Sequence, residues 1–249
     1  MVMYVTGDLN CMTKRSGKMT NAVDTDKYRL HTQELMPLFC EENLTDNKVV
    51  EIKGRSSEYK VVVNNYRGKI GEYNRQGSKC FFYEGDILCK EWYCFYSSAE
   101  FYQLITHKNG KEYLIFRQDL YGYSVLKLEN GEIMQFFPEC SFEGVETFIW
   151  TEVHYNPENN VLAVEGCYWA CPYSVQLFRF ENPMCDKPKF VDIIACLDGD
   201  YDVYDELTFL KWEKGDLYLK AYLTENAETV ELVILQEKYL SWLSSEQKV

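Results

Sequence analysis

The sequence predicts an all-β fold of about four antiparallel, four-stranded, propeller-like blades. Three observations carry the prediction. Short runs rich in β-branched and aromatic residues recur across residues 48–235, each bounded by turn residues. The runs fall into four groups beginning near residues 48, 100, 147 and 206, roughly 50 residues apart, which is the spacing of propeller blades. Asn-Gly pairs at Asn109-Gly110 and Asn130-Gly131 separate consecutive runs, as hairpin turns do. A β-sandwich or barrel is the alternative architecture.

Residues 1–47 are read as an irregular N-terminal segment, because charged and polar residues are mixed there without apolar periodicity. A short helix is expected to start at Thr25, and Pro37 interrupts it. Residues 48–236 are read as one all-β domain. In its first group, strands are expected at 49–52, 59–63, 69–73 and 79–83, with turns at Asn64-Asn65-Tyr66-Arg67-Gly68 and Asn74-Arg75-Gln76-Gly77. The aromatic run 91–96 follows. The second group is expected at 100–106, 112–116, 124–128 and 132–136, with type I′ turns at its Asn-Gly pairs. The third runs from Thr147 to Ile193, and Asn156-Pro157-Glu158-Asn159-Asn160 forms its first turn. The fourth, at 206–211, 216–222 and 229–235, has three clear strands. The array closes if the N-terminal segment lends it a strand, and otherwise stays open. Tyr239, Leu240 and Leu243 at helical spacing predict a short C-terminal helix or tail over 237–249.

One stretch carries a resemblance. Tyr155-Asn156-Pro157-Glu158-Asn159-Asn160-Val161-Leu162-Ala163-Val164, followed by Ser174-Val175-Gln176-Leu177-Phe178-Arg179-Phe180, resembles the middle of a β-propeller blade of the WD-repeat kind. The likeness covers about one blade, 147–180. Gly-His and Trp-Asp dipeptides are missing, and residues 165–173 form a long insertion. The resemblance implies a fold whose loops present to a partner.

Composition bounds the function. The chain is 46% hydrophobic and 16% aromatic, enough for a large core. A net charge of −13 repels phosphate backbones and anionic lipid, so neither nucleic acid nor membrane is an expected partner. No apolar run reaches transmembrane length, and residues 1–8 carry no secretory pattern. The ten cysteines are therefore expected as mostly unpaired thiols in a cytoplasmic protein.

No phosphate loop and no Gly-x-Ser-x-Gly elbow is present, so no catalytic residue is assigned. Cys167 and Cys171 could supply two zinc ligands, with His154 or Cys140 as others, but a second close pair is missing. Asp198, Asp200 and Asp202 lack EF-hand spacing and are read as a solvated connection. Glu139, Glu143 and Glu146 are close in a chain where acidic residues are abundant. No metal or cofactor is assigned. Trp150, Tyr168, Trp169 and Tyr173 are the expected binding residues, with Trp169 either a contact or a core plug beside Trp150. The reading is a soluble, non-catalytic protein-binding module for a basic or apolar partner surface. The alternative is an enzyme or ligand-binding propeller with a polar or metal-containing central site.

Overall fold

The computed structural model describes residues 2–4, 20–55, 57–96, 101–169, 173–198 and 200–244. In chain order, β1 (Val2–Tyr4) precedes α1 (Asp26–Leu35). The first sheet holds β2 (Leu44–Lys53), β3 (Glu58–Ile70), β4 (Tyr73–Glu84) and β5 (Ile87–Cys94). The second holds β6 (Tyr102–Thr106), β7 (Glu112–Phe116), β8 (Tyr123–Lys127) and β9 (Glu132–Phe136). The third holds β10 (Ile149–Asn156), β11 (Val161–Cys167), β12 (Tyr173–Arg179) and β13 (Val191–Asp192). Then come α2 (Asp200–Val203), β14 (Tyr204–Glu213), β15 (Asp216–Leu223), β16 (Thr229–Ile234) and α3 (Gln236–Ser244).

The fold is all-β and propeller-like. Three sheets are antiparallel meanders in sequence order, and the fourth has the order β1-β16-β15-β14. Its fourth strand is borrowed from the N-terminal segment, and β1 joins β16 in parallel, with Val2 opposite Glu231 and Tyr4 opposite Val233. The chain divides into two compact units. One comprises residues 20–145 with Met184–Asp186 and carries the first two sheets. The other, formed from the remaining residues, carries the third and fourth.

Period-two burial builds each core. In the first unit Val61, Val63, Cys80, Phe82 and Trp92 of the first sheet pack with Leu114, Phe116 and Leu126 of the second. In the second unit Val161, Ala163, Val175 and Leu177 pack with Leu207, Leu217, Leu219, Ala221 and Leu232, and Tyr239 and Trp242 of α3 join them. Burying each such aliphatic or aromatic side chain contributes about 1.5–3 kcal/mol. Before α1, the Thr25 hydroxyl caps the helix by accepting the Tyr28 N–H at 3.2 Å. Pro37 then sits in a 3₁₀ turn, Met36–Leu38, which ends the helix as expected.

Several turn assignments are corrected. Residues 64–68 and 74–77 are not turns but opposite parts of one long β3–β4 ladder, with Asn65 facing Ser78 and Tyr66 facing Gly77. The connection is Gly71-Glu72. Gly77 is required for close approach, since a Cβ there would lie 2.8 Å from the Cys94 carbonyl and 2.9 Å from the Phe39 ring. The run 91–96 supplies the sheet's fourth strand, β5. At Asn109-Gly110 and Asn130-Gly131 only the glycine takes positive φ, so these are not type I′ turns. Lys214-Gly215, with φ of 52° and 86°, is one, joining Glu213 to Asp216.

Candidate functional site

The expected binding residues cluster at one end of the third sheet but play different parts. Trp150 is 2% exposed, with Phe178 and Phe190 rings at 5.7 and 5.8 Å, so its indole faces the core. Tyr168 is half-buried. Its hydroxyl donates to Asp192 at 3.3 Å and accepts from Gln176 at 3.1 Å, and its ring meets Phe148 edge-on. Asp192 also accepts from Tyr201, Ser174 and the Ile194 N–H at 2.8, 3.1 and 3.2 Å. Burial pushes the Asp192 carboxyl up, and these donors act against that rise. Tyr168 is thus a strut beneath the surface.

Trp169 and Tyr173 are the exposed members, at 54% and 42%. Trp169 is not a core plug. The insertion is shorter than the sequence suggested, because β11 and β12 pair through Gly166–Ser174 and Cys167–Tyr173. Most of the described part of 165–173 is strand, and this paired end holds Tyr173 on a rigid ladder. Cys171 lies outside the described residues.

A second constellation sits on the same sheet. Glu152 and His154, two apart on β10, share a face, and Glu152 lies directly opposite Glu165 on β11. A bulge between Trp150 and Glu152 sets this register. Donor atoms of Glu152, His154 and Glu165 all lie within 4.8 Å of one another. His154 Nε2 is 3.7 Å from Glu165 Oε2, with side-chain exposures of 17% and 13%. The other Glu165 oxygen accepts the Phe209 N–H of β14. A bulge between Phe209 and Lys211 interrupts the β14–β15 ladder beside this contact. Phe209 stacks on the His154 imidazole at 3.8 Å and 7°, and Trp212 Nε1 donates to the His154 carbonyl at 3.1 Å. The sequence reading missed this set. The alternation of Glu152 and His154 was its visible part.

In the first unit, Asp119 is buried at 5% exposure. Its Oδ2 accepts from the Tyr28 hydroxyl at 2.7 Å and from Gln135 at 3.4 Å, and His31 Nε2 lies 3.9 Å from Oδ1. Burial pushes its carboxyl up to about 7, against the Tyr28 hydrogen bond, which lowers it. Burial also lowers His31. Gln135 additionally lines a cleft of about 460 Å³ with Asn21, Asp24, Glu91, Trp92 and Gln118. Glu91 is held there by Lys79 at 3.3 Å.

The cysteines are mixed. Cys40, Cys80, Cys89, Cys94, Cys140 and Cys185 are free thiols, with Cys40 and Cys89 exposed. Cys196 is disulfide-bonded, an exception to the expected mostly unpaired set. The acidic run continues into α2, and Asp198, Asp202 and Asp205 are exposed.

No protein-family model matches the chain. It is 28% identical over 163 residues to the uncharacterized protein R762 of Acanthamoeba polyphaga mimivirus, covering 63% of this chain and 60% of that protein. The chain therefore spans less than two thirds of this relative's length. Among solved structures it is similar to a bifunctional GH43-CE protein of Bacteroides eggerthii, at 10% identity and a TM-score of 0.35, over 74% of this chain and 25% of that one. Neither likeness assigns an activity to the chain. Among the described residues, no helix is long and apolar enough to cross a membrane.

Proposed function

We propose that the chain is a non-catalytic protein-binding module that contacts its partner through Trp169 and Tyr173. The observation that carries this reading is the exposure of these two aromatics, 54% and 42%, with Tyr173 in the last pair of the β11–β12 ladder and Trp169 two residues beyond the paired Cys167. Large aromatic side chains held on a rigid support lose little rotamer entropy on docking. Trp150 and the Tyr168–Asp192 network support the surface from below. A net charge of −13 suits a partner with basic residues around an apolar contact. The resemblance of 147–180 to a WD-repeat blade agrees, since such loops face partners. The exposed thiols of Cys40 and Cys89 favour a reducing, cytoplasmic setting, with the Cys196 disulfide as the exception.

The test compares capture by the immobilised wild type with capture by a Trp169→Ala, Tyr173→Ala variant. Proteins bound by the first and lost by the second are identified by mass spectrometry and rebound in purified form. A variant that melts like the wild type and still captures every partner ends the proposal.

A further inference from the structure

We propose a second site, independent of the interface reading: Glu152, His154 and Glu165 bind one first-row divalent transition ion of the zinc class. Two features of the constellation are unfavourable without a cation. Glu152 and Glu165 are directly opposed on neighbouring antiparallel strands, where like charges destabilise the pair. Among the described residues the buried His154 Nε2 has no hydrogen-bond partner, and Glu165 at 3.7 Å is beyond hydrogen-bond reach. A dication between the three groups resolves both at once, neutralising two carboxylates and taking the imidazole lone pair.

The geometry is close to what such an ion needs. Bonds of about 2.1 Å in a tetrahedral arrangement place donors roughly 3.4 Å apart. His154 Nε2 and Glu165 Oε2 stand 3.7 Å apart, and all three donors fall within 4.8 Å. Glu152 is the exposed member, and its side-chain rotamers close the remaining gap. The other two are fixed from outside the set. The Phe209 N–H holds the far oxygen of Glu165, and the Phe209 ring holds the imidazole plane. The imidazole selects against calcium and magnesium, which prefer oxygen donors alone.

The test titrates zinc chloride into the chelator-treated full chain carrying ¹⁵N-labelled histidine. The sequence has three histidines, so the His154 imidazole is readily distinguished. One equivalent should shift the His154 Nε2 resonance and leave His31 and His107 in place. Glu152→Gln and Glu165→Gln should each weaken zinc binding at least tenfold. Both keep side-chain volume, and the amide oxygen introduced by Glu165→Gln can still accept the Phe209 N–H. Circular dichroism without zinc confirms that each variant is folded. Should Glu165→Gln fail to fold, the exposed Glu152→Gln decides alone. Zinc that binds without moving the His154 resonance is held by thiols and overturns the proposal. So does an unchanged affinity in the folded variants, and so does the absence of zinc binding.

Discussion

Asp119 makes the stability of the chain depend on pH in a direction opposite to that of most carboxylates. Its carboxyl rises from 3.8 to about 7 because burial disfavours the anion more than the Tyr28 hydroxyl favours it. Between about pH 4 and pH 7 the unfolded chain has released this proton while the folded chain still holds it. Stability therefore falls as pH rises through that window. A rise of about three units corresponds to ~4 kcal/mol, fully expressed above pH 7 and absent below pH 4. Asp119→Asn removes the titration while keeping the shape. Its amide oxygen can accept from Tyr28 and Gln135, and its NH₂ can face His31. Urea unfolding of both proteins at half-unit steps from pH 4 to pH 8 measures the effect. The stability of the variant relative to the wild type should climb by up to about 1.4 kcal/mol per pH unit and then level off near pH 7 to 8. His31 titrates nearby, and burial and Arg75 lower it. Because His31 also lies 3.9 Å from the Asp119 carboxylate, both series are repeated in a His31→Asn background, which removes its titration from the difference. Parallel pH profiles for the two proteins would refute the reasoning.

Other expectations are simpler. Trp169→Ala should cost under about 1 kcal/mol, as surface truncations do, and leave the melting temperature almost unchanged; a loss of about 3–5 kcal/mol would mark a buried plug instead. Gly166→Ala should destabilise by about 1–3 kcal/mol in urea unfolding, because its Cβ would lie 2.1 Å from the Ile149 carbonyl oxygen. A neutral outcome would mean that β10 yields freely at its bulge. Thiol titration under denaturing, non-reducing conditions should count eight groups, the ten cysteines less the two joined in the Cys196 disulfide. A count of ten would remove that disulfide.

Legibility in the sequence followed solvation. The second sheet was read to within two residues at every strand end, because its apolar runs are short and polar Gly-containing segments bracket them. The first sheet misled because β3 and β4 extend as a long hairpin beyond the packed region. Its solvated part is free to use Arg67, Asn74 and Arg75, and the half-buried Asn65 pairs with Ser78, residues that elsewhere signal turns. Gly77 looked like a turn residue, although its role is to admit Phe39. Residue type and an apparent insertion point to Trp169 and Tyr173, but equally to the half-buried Tyr168 and the buried Trp150, because sequence does not separate a buried indole from an exposed one. Glu165 could not be linked to Glu152 without the register, which depends on the bulge after Trp150. Phe209 reaches the set from another sheet, and no local pattern announces it.

The parallel strand β1 fixes an order of events during synthesis. Residues 2–4 pair with residues 231–233, so a segment that leaves the ribosome early waits for one made much later. The unit built mainly from residues 20–145 has its own core and draws only Met184–Asp186 from later in the chain. It can close while the second unit is still being translated. Until β1 docks, the β16 edge of the fourth sheet lacks this hydrogen-bonded neighbour, and a strand from another chain could take the place of β1.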